Sequence, residues 1–436
     1  MKQANNISFL ILFLSIIVHA QNVIRVPNDY STIQSAIEHS RDYDSIIVDK
    51  GVFYEQIIVS RPLTILGKGQ LETIIRPKTV FGLPMLIKSS DVVVKDLWIT
   101  ASHNEYGINI SNSKNCAIIN CKVDSTRTPL SLHYGIDAKG INIDSSRNIS
   151  IVGCIVLKNS GGGYLTSGSS YGIGININQS HDIKIRSTVI SDNKGGGPGG
   201  GIGYGLRIQN SNSVIIDSCT VEGHTQYDGG VGIQLFLTTD CLIRNNKILN
   251  NHIGIDIGFK STSQISGSKQ YANKFLNNHS FSIALHDAFA SIDARWNYWG
   301  HDNVDSISTY ILDCHDLQSL SCVDFGNYIT SSIENIETRL PITYILNQNY
   351  PNPFNPETTI SFEVPNAETH YGASLKKISL EVFDLLGRKV ATLVNEMKQP
   401  GNYSVKFDGS NLANGMYFYR LTTPNTTITK KMVLLK

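Results

Sequence analysis

The sequence carries almost no surplus of charge: 37 Lys and Arg stand against 36 Asp and Glu, a formal net charge of +1. Such a chain sets up no field to draw in DNA or an anionic membrane surface, so nucleic acid is not an expected partner. Long apolar runs are also missing. Only Phe9 to Val18, broken by Ser15, comes near, and a membrane-crossing helix needs about 20 apolar residues, roughly twice that run. Calcium loops of the EF-hand or nonapeptide type are absent too. Asp and Asn are frequent at the corners, which leaves calcium open without a motif behind it, and no other cofactor or metal is expected.

What is present organises the chain into parts. At 436 residues with 41% hydrophobic content there is room for two or three domains with packed cores. Lys2, the short apolar run and Val18-His19-Ala20 have the layout of a secretory signal peptide over 1–20, cleaved after Ala20. From Val23, a short strand leads through Pro27-Asn28-Asp29 to Ser31, an expected N-cap, after which Ile33, Ala36 and Ile37 recur at helical spacing. Short β-branched strands follow at Ile46 to Val48, Gln56 to Val59 and Leu63 to Leu66.

Repeats come next, aligned on a glycine: "GINISNSKNCAII" from Gly107, "GINIDSSRNISIV" from Gly140, "GININQSHDIKIR" from Gly174, "GLRIQNSNSVIID" from Gly205 and "GIQLFLTTDCLIR" from Gly232. A degraded copy, "GIDI", starts at Gly254. Each unit is a two-residue alternation, a polar corner and a second alternation. One unit cannot bury its apolar face alone, but stacked units join their faces into a continuous core. Ile108, Ile141, Ile175, Leu206 and Ile233 hold the same repeat position and are expected to form one inward column. Between starts the spacing is 33, 34, 31, 27 and 22 residues, and the excess falls in inserts after the second strand. With coils about 4.8 Å apart, the inserts Asp124 to Lys139, Lys158 to Tyr171, Ser191 to Tyr204 and Glu222 to Val231 would build one wall.

The alignment also sorts the cysteines. Cys116 and Cys241 share a column with Ile149, Ile183 and Val214, and Cys121, Cys154 and Cys219 share one with Thr188 and Asn246, which makes all five core residues. Cys314 and Cys322 lie past the repeats and are candidates for a disulfide. Trp296, Tyr298 and Trp299 are placed to cover the open end of the stack. Residues 331–343 read as a linker. Beyond them, over 344–436, "SLEVFDLLGRKVATLV", "YSVKFDG", "NGMYFYRL" and "KKMVLLK" alternate like the strands of a small antiparallel sandwich.

Two resemblances follow from these motifs. The opening helix and strands, with the repeats behind them, resemble pectin-lyase-like right-handed parallel β-helix proteins. That likeness implies an all-β solenoid with an N-terminal capping helix over 21–330. "NYPNPFNPETTISFEVP", "VFDLLGRKV", "NGMYFYRL" and "KKMVLLK" resemble the type A C-terminal sorting domain of the type IX secretion system, an Ig-like β-sandwich. This second likeness implies passage through the periplasm to the medium or the outer cell surface, with the type IX machinery as a partner. Asn-Thr-Asp, Asp-Asp and Arg-Ile-Lys, local motifs of polygalacturonase-like, pectate-lyase-like and pectin-esterase-like members, are not found intact.

Polysaccharide is therefore the expected partner of the solenoid, bound by a monomer and, if the protein is an enzyme, cleaved as by a lyase or glycoside hydrolase. The alternative is a non-catalytic adhesin or matrix protein. Cleavage needs two placed carboxylates, or a base beside a charge stabiliser. The wall offers Asp192, Lys194, Glu222, His224 and Asp228, with His252 and Asp256 after them. Tyr171, Tyr204 and Tyr227 are the candidate sugar contacts. Tyr106, Tyr171 and Tyr204 each precede a glycine, an arrangement that reads equally as a ladder stabilising the coils or as a strip for pyranose rings.

Overall fold

Alternating β-branched residues set the local structure of each coil. In Ala138–Asp144, Ile141 and Ile143 point inward and are fully buried, while Asn142 between them points outward. The structure is a computed structural model and describes residues 22–330, 345–346, 349, 351–364, 376–398, 401–423 and 426–435, save for 80–81, 101–104, 128–136, 163–169, 197–200, 226–228 and 287–290. The proposed signal peptide 1–20 and the linker 331–343 lie outside the described residues.

Every coil of the repeat region has three strands, one more than the sequence reading assigned. The coil that starts at Ala138–Asp144 continues through Arg147–Val152 and Ile155–Leu157 before the next coil begins at Gly172. Corresponding strands pair in parallel into sheets of 10, 12 and 9 strands, here called the first, second and third sheets by strand order within the coil. Ile108, Ile141, Ile175, Leu206 and Ile233 stand in register in the first sheet, fully buried, and the column runs on through Ile255 and Ile283. The inserts leave the coil after the third strand, so the expected wall stands at the corner between the third sheet and the next coil's first strand.

Buried polar ladders close the corners. Asn246, Asn273 and Asn297 stack so that each amide oxygen accepts the backbone N–H and, for Asn273 and Asn297, the amide N–H of the residue above, at 2.9–3.0 Å. Ser113, Ser146, Ser180 and Ser211 do the same with hydroxyls at 3.0–3.2 Å. Each ladder satisfies backbone donors that the turn leaves without a sheet partner. The repeat glycines permit close approach: a Cβ on Gly140 would stand 2.8 Å from the Gly174 carbonyl and 2.8 Å from the Val156 side chain.

Helix Ile33–His39 buries Ile33, Ala36 and Ile37 over the first coils. Its N-cap is Thr32, not Ser31: the Thr32 hydroxyl accepts from Ser35 N at 3.1 Å, and the Glu55 carboxylate takes the N–H groups of Ile33 and Gln34. At the far end Trp299 is buried and stacks on Phe275 at 4.7 Å between centroids, with Phe325 edge-on. Trp296 and Tyr298 remain half-buried, so one ring of the three does the covering. Cys314 and Cys322 are bonded, with an S–S distance of 2.04 Å.

The five remaining cysteines occupy the two columns read from the alignment and are buried. Burial pushes the thiols of Cys154, Cys219 and Cys241 up to about 12 and raises those of Cys116 and Cys121. Since the thiolate is the reacting species, iodoacetamide at pH 8 should label no cysteine of the native protein and five after denaturation without reductant. Native labelling of any of them would show that the columns open.

From Leu346 onward a second apolar core forms, separate from the one that runs from Val26 to Val323. Two antiparallel sheets contribute to it. One holds Ile345–Leu346, Glu357–Val364 and Gly401–Asp408, and the other Lys389–Lys398, Lys376–Phe383, Gly415–Thr422 and Thr427–Leu434. The proline-rich approach packs onto this unit: Phe354 is buried and exchanges backbone hydrogen bonds with Val433 and Leu435, and Asn349 N donates to the Tyr419 hydroxyl.

Candidate functional site

Outward positions of the first sheet are fixed by the same alternation that buries its isoleucines. One outward column reads Asn109, Asn142, Asn176, Arg207, Gln234 and Asp256, and the next Ser111, Asp144, Asn178, Gln209, Phe236 and, after Gly258, His286. Several of these side chains are linked from coil to coil. The Asn176 amide donates to Asn142 at 2.8 Å and Asn142 to Asn109 at 2.9 Å, while Asn178 donates to the Asp144 carboxylate at 2.7 Å. Further along, Arg207 Nε donates to Gln234 at 3.3 Å, Gln234 donates to Asp256 at 3.0 Å, and the other Asp256 oxygen lies 2.9 Å from His286 Nε2.

Over the upper half of these columns lies a groove of about 420 Å3, walled by Tyr106, Asp137, Lys139, Asp144 and Arg207. Its charges balance, Lys139 and Arg207 against Asp137 and Asp144, and Arg207 is braced by aromatic rings. The guanidinium lies over Tyr171 at 4.9 Å and Tyr204 at 5.3 Å, and 3.7 Å from the Asp137 carboxylate. Such stacking holds a planar cation in place while leaving an edge able to donate. Tyr106 keeps its proton to about 12, chiefly through burial and also through Glu105 beside it, so it is no base at neutral pH.

The tyrosines do not form one strip. Tyr204 pairs in register with Ile173, whereas Tyr171 sits two residues earlier and meets the Tyr204 ring edge-on at 5.6 Å. Tyr106 pairs with Lys139, whose ammonium lies 5.1 Å from the ring. Tyr204 is only 4% exposed, packed with Ile173 and Val231 beneath Arg207, and burial pushes its hydroxyl up to about 12. Its ring is no open platform for a sugar. Tyr227 and Asp228 lie outside the described residues.

The other wall candidates are not brought together. His224, read as a catalytic residue, is fully buried inside an asparagine ladder of Asn159, Asn193, Asn251 and Asn278. The Asn251 oxygen already accepts the His224 backbone N–H, so His224 Nδ1 donates to it at 2.8 Å and Nε2 accepts from Asn193 at 3.0 Å. Burial lowers the imidazole to about 4. Asp192 and Lys194 are exposed on either side of Asn193, and neither they nor the half-buried Glu222 lines the groove. His252 meets the Ser280 hydroxyl at 3.0 Å. Asp256 alone among the earlier candidates belongs to the outward columns. Asp313, Cys314 and His315 lie close enough to suggest a metal, but the Cys314 sulfur is spent in the disulfide.

Comparison with known proteins agrees with the two units. Residues 167–295 match the family described as right handed beta helix region, and 348–435 match the secretion system C-terminal sorting domain. No curated protein matches the sequence. Among solved structures, full-length tailspike protein 2 from Escherichia coli O157:H7 bacteriophage CAB120 is similar at 10% identity and a TM-score of 0.45, over 95% of this chain and 68% of that one. The pectin methylesterase from Aspergillus niger is similar at 14% identity and a TM-score of 0.31, over 66% and 93%. Tailspike protein gp49 from Acinetobacter baumannii bacteriophage Fri1, a capsular polysaccharide depolymerase, is similar at 9% identity and 0.33, over 96% and 78%. The sorting domain marks the chain for export to the cell surface or the medium.

Proposed function

We propose that this chain, a right-handed parallel β-helix joined to a type IX secretion C-terminal sorting domain, binds extracellular polysaccharide in the groove on the outer face of its first sheet. The observation that carries the reading is the outward column from Asn109 to Asp256, one side chain per coil, linked from Asn109 to Asn176 and again from Arg207 to Asp256, with Arg207 held over two tyrosines. Rigid amides and carboxylates supply paired donors and acceptors for sugar hydroxyls. A fixed guanidinium suits the carboxylate of an acidic sugar.

Binding without cleavage, the adhesin reading, is favoured by one feature. The charged groups of the columns are already engaged: Asp256 by Gln234 and His286, Asp144 by Asn178, and Arg207 by Asp137 and Gln234. Groups tied in this way orient a ligand more readily than they move its protons.

Calorimetry against a panel of neutral and uronate-bearing polysaccharides tests the site. Arg207→Ala should weaken binding of an acidic glycan at least about tenfold, as a charged hydrogen bond is worth about 1.5–3 kcal/mol. Unchanged affinity in that variant would remove the groove from consideration. New unsaturated uronate ends during the same incubations would mark a lyase and new reducing ends without them a hydrolase; absence of both with intact binding would support the adhesin reading.

A further inference from the structure

The sorting domain exposes its large apolar side chains unevenly. Among the described residues from Leu346 onward six are exposed: Leu385, Leu386, Val390, Met397, Met416 and Leu435. Phe383 pairs with Lys389 on one side and Phe418 on the other, and Phe418 pairs with Lys431. This register puts the end of Lys376–Phe383, the start of Lys389–Lys398, the start of Gly415–Thr422 and the end of Thr427–Leu434 at one edge of the sheet. All of the six except Met397 therefore gather at that edge.

Its apex is a braced turn. Leu385 is 65% and Leu386 78% exposed, so neither side chain serves the core. Asp384 holds the turn that presents them: one carboxylate oxygen accepts the N–H groups of Leu386 and Arg388 at 2.9 Å each, and the other accepts Arg388 Nε at 2.7 Å. Gly387 supplies the positive φ, +76°, that closes the turn. Two adjacent leucines held out in water raise the risk of aggregation and add nothing to the core. A rigid apolar protrusion loses little entropy on docking, which suits insertion into a preformed pocket.

We infer that this apolar edge is the surface by which the secretion machinery grips the domain, with Leu385 and Leu386 seated in an apolar pocket of a machinery protein. The inference rests on the sorting role of residues 348–435 and is independent of the groove. A protein pocket is favoured over a lipid surface because the protrusion is narrow and fixed, and Arg388, the cation beside it, is neutralised by Asp384.

The test is export of the full chain in a bacterium that carries a type IX system. L385S/L386S should lower the extracellular amount at least tenfold and accumulate precursor in the periplasm, with the melting temperature within about 2 °C of the parent. Wild-type export of that variant would overturn the inference. Should L385S/L386S melt markedly lower, Leu386→Lys, at the more exposed site, decides on the same readout. A chain stopped after Pro341 is the reference. Its export at the wild-type level would defeat the sorting role itself, whereas its retention beside normal export of L385S/L386S defeats only the docking edge. Binding of the parent, but not the variant, to vesicles of phosphatidylethanolamine and lipopolysaccharide would assign the edge to membrane and also overturn it.

Discussion

Ile175→Asp should abolish folding of the β-helix at 37 °C. Ile175 lies mid-column, fully buried, with Ile141 on one side and Leu206 on the other. Its removal from the core forfeits about 1.5–3 kcal/mol of apolar burial. A carboxylate left there has no cation or water, and burying it unpaired costs several kcal/mol more. The sum approaches the whole stability of a typical domain, about 5–15 kcal/mol. Each coil touches only its neighbours, so the damage also divides the stack in two. Lys184→Asp is the control, since Lys184 is exposed on the next strand of the same coil and should cost less than about 1 kcal/mol. Equal melting temperatures for the two variants would contradict the inward register.

His224→Asn should remove an acid sensitivity of about 3 kcal/mol. In the native state the imidazole stays neutral down to about 4, because its burial opposes charging, while in the unfolded chain it titrates near 6.5. Below pH 6.5 the unfolded state therefore binds more protons. The contribution of His224 is complete above that pH and is lost as the pH falls toward 4. A difference of about 2.5 in pKa corresponds to about 3 kcal/mol at 1.36 kcal/mol per unit. Asparagine already serves the rungs on either side, Asn193 and Asn251, so it preserves the ladder without a titrating group. Filling the smaller volume imperfectly should cost about 1 kcal/mol at pH 8. The two stability curves from denaturant titration should cross between pH 4 and 7, with the variant more stable at the acid end. Parallel curves would mean that His224 is hydrated and titrates freely.

Much of the site lay in plain sight in the repeats. The letter after each first inward residue reads Asn, Asn, Asn, Arg, Gln, Asp from Asn109 to Asp256, and alternation alone sends that column outward. The third strands, such as Ile155–Leu157 and Thr220–Glu222, are three residues long, too short for a period of two to stand out from chance. The shared Tyr-Gly steps suggest that Tyr171 and Tyr204 stack along one edge. The fold keeps the alignment of Gly174 with Gly205, because Ile175 and Ile177 must face the core, and this sets Tyr171 two residues before the partner of Tyr204.

The sequence by itself determined the stack, its inward column, the two cysteine columns and the sorting domain, because each of these repeats at a fixed period or keeps its motifs contiguous. Only the tertiary structure decided that His224 is a rung and that Arg207 is held by two tyrosines. It also gathered the exposed leucines of the sorting domain at one edge. Those outcomes depend on which residues of neighbouring coils or strands face one another, and pairing across a loop is settled by the total burial of the isoleucines, a sum over the whole stack that no single segment contains.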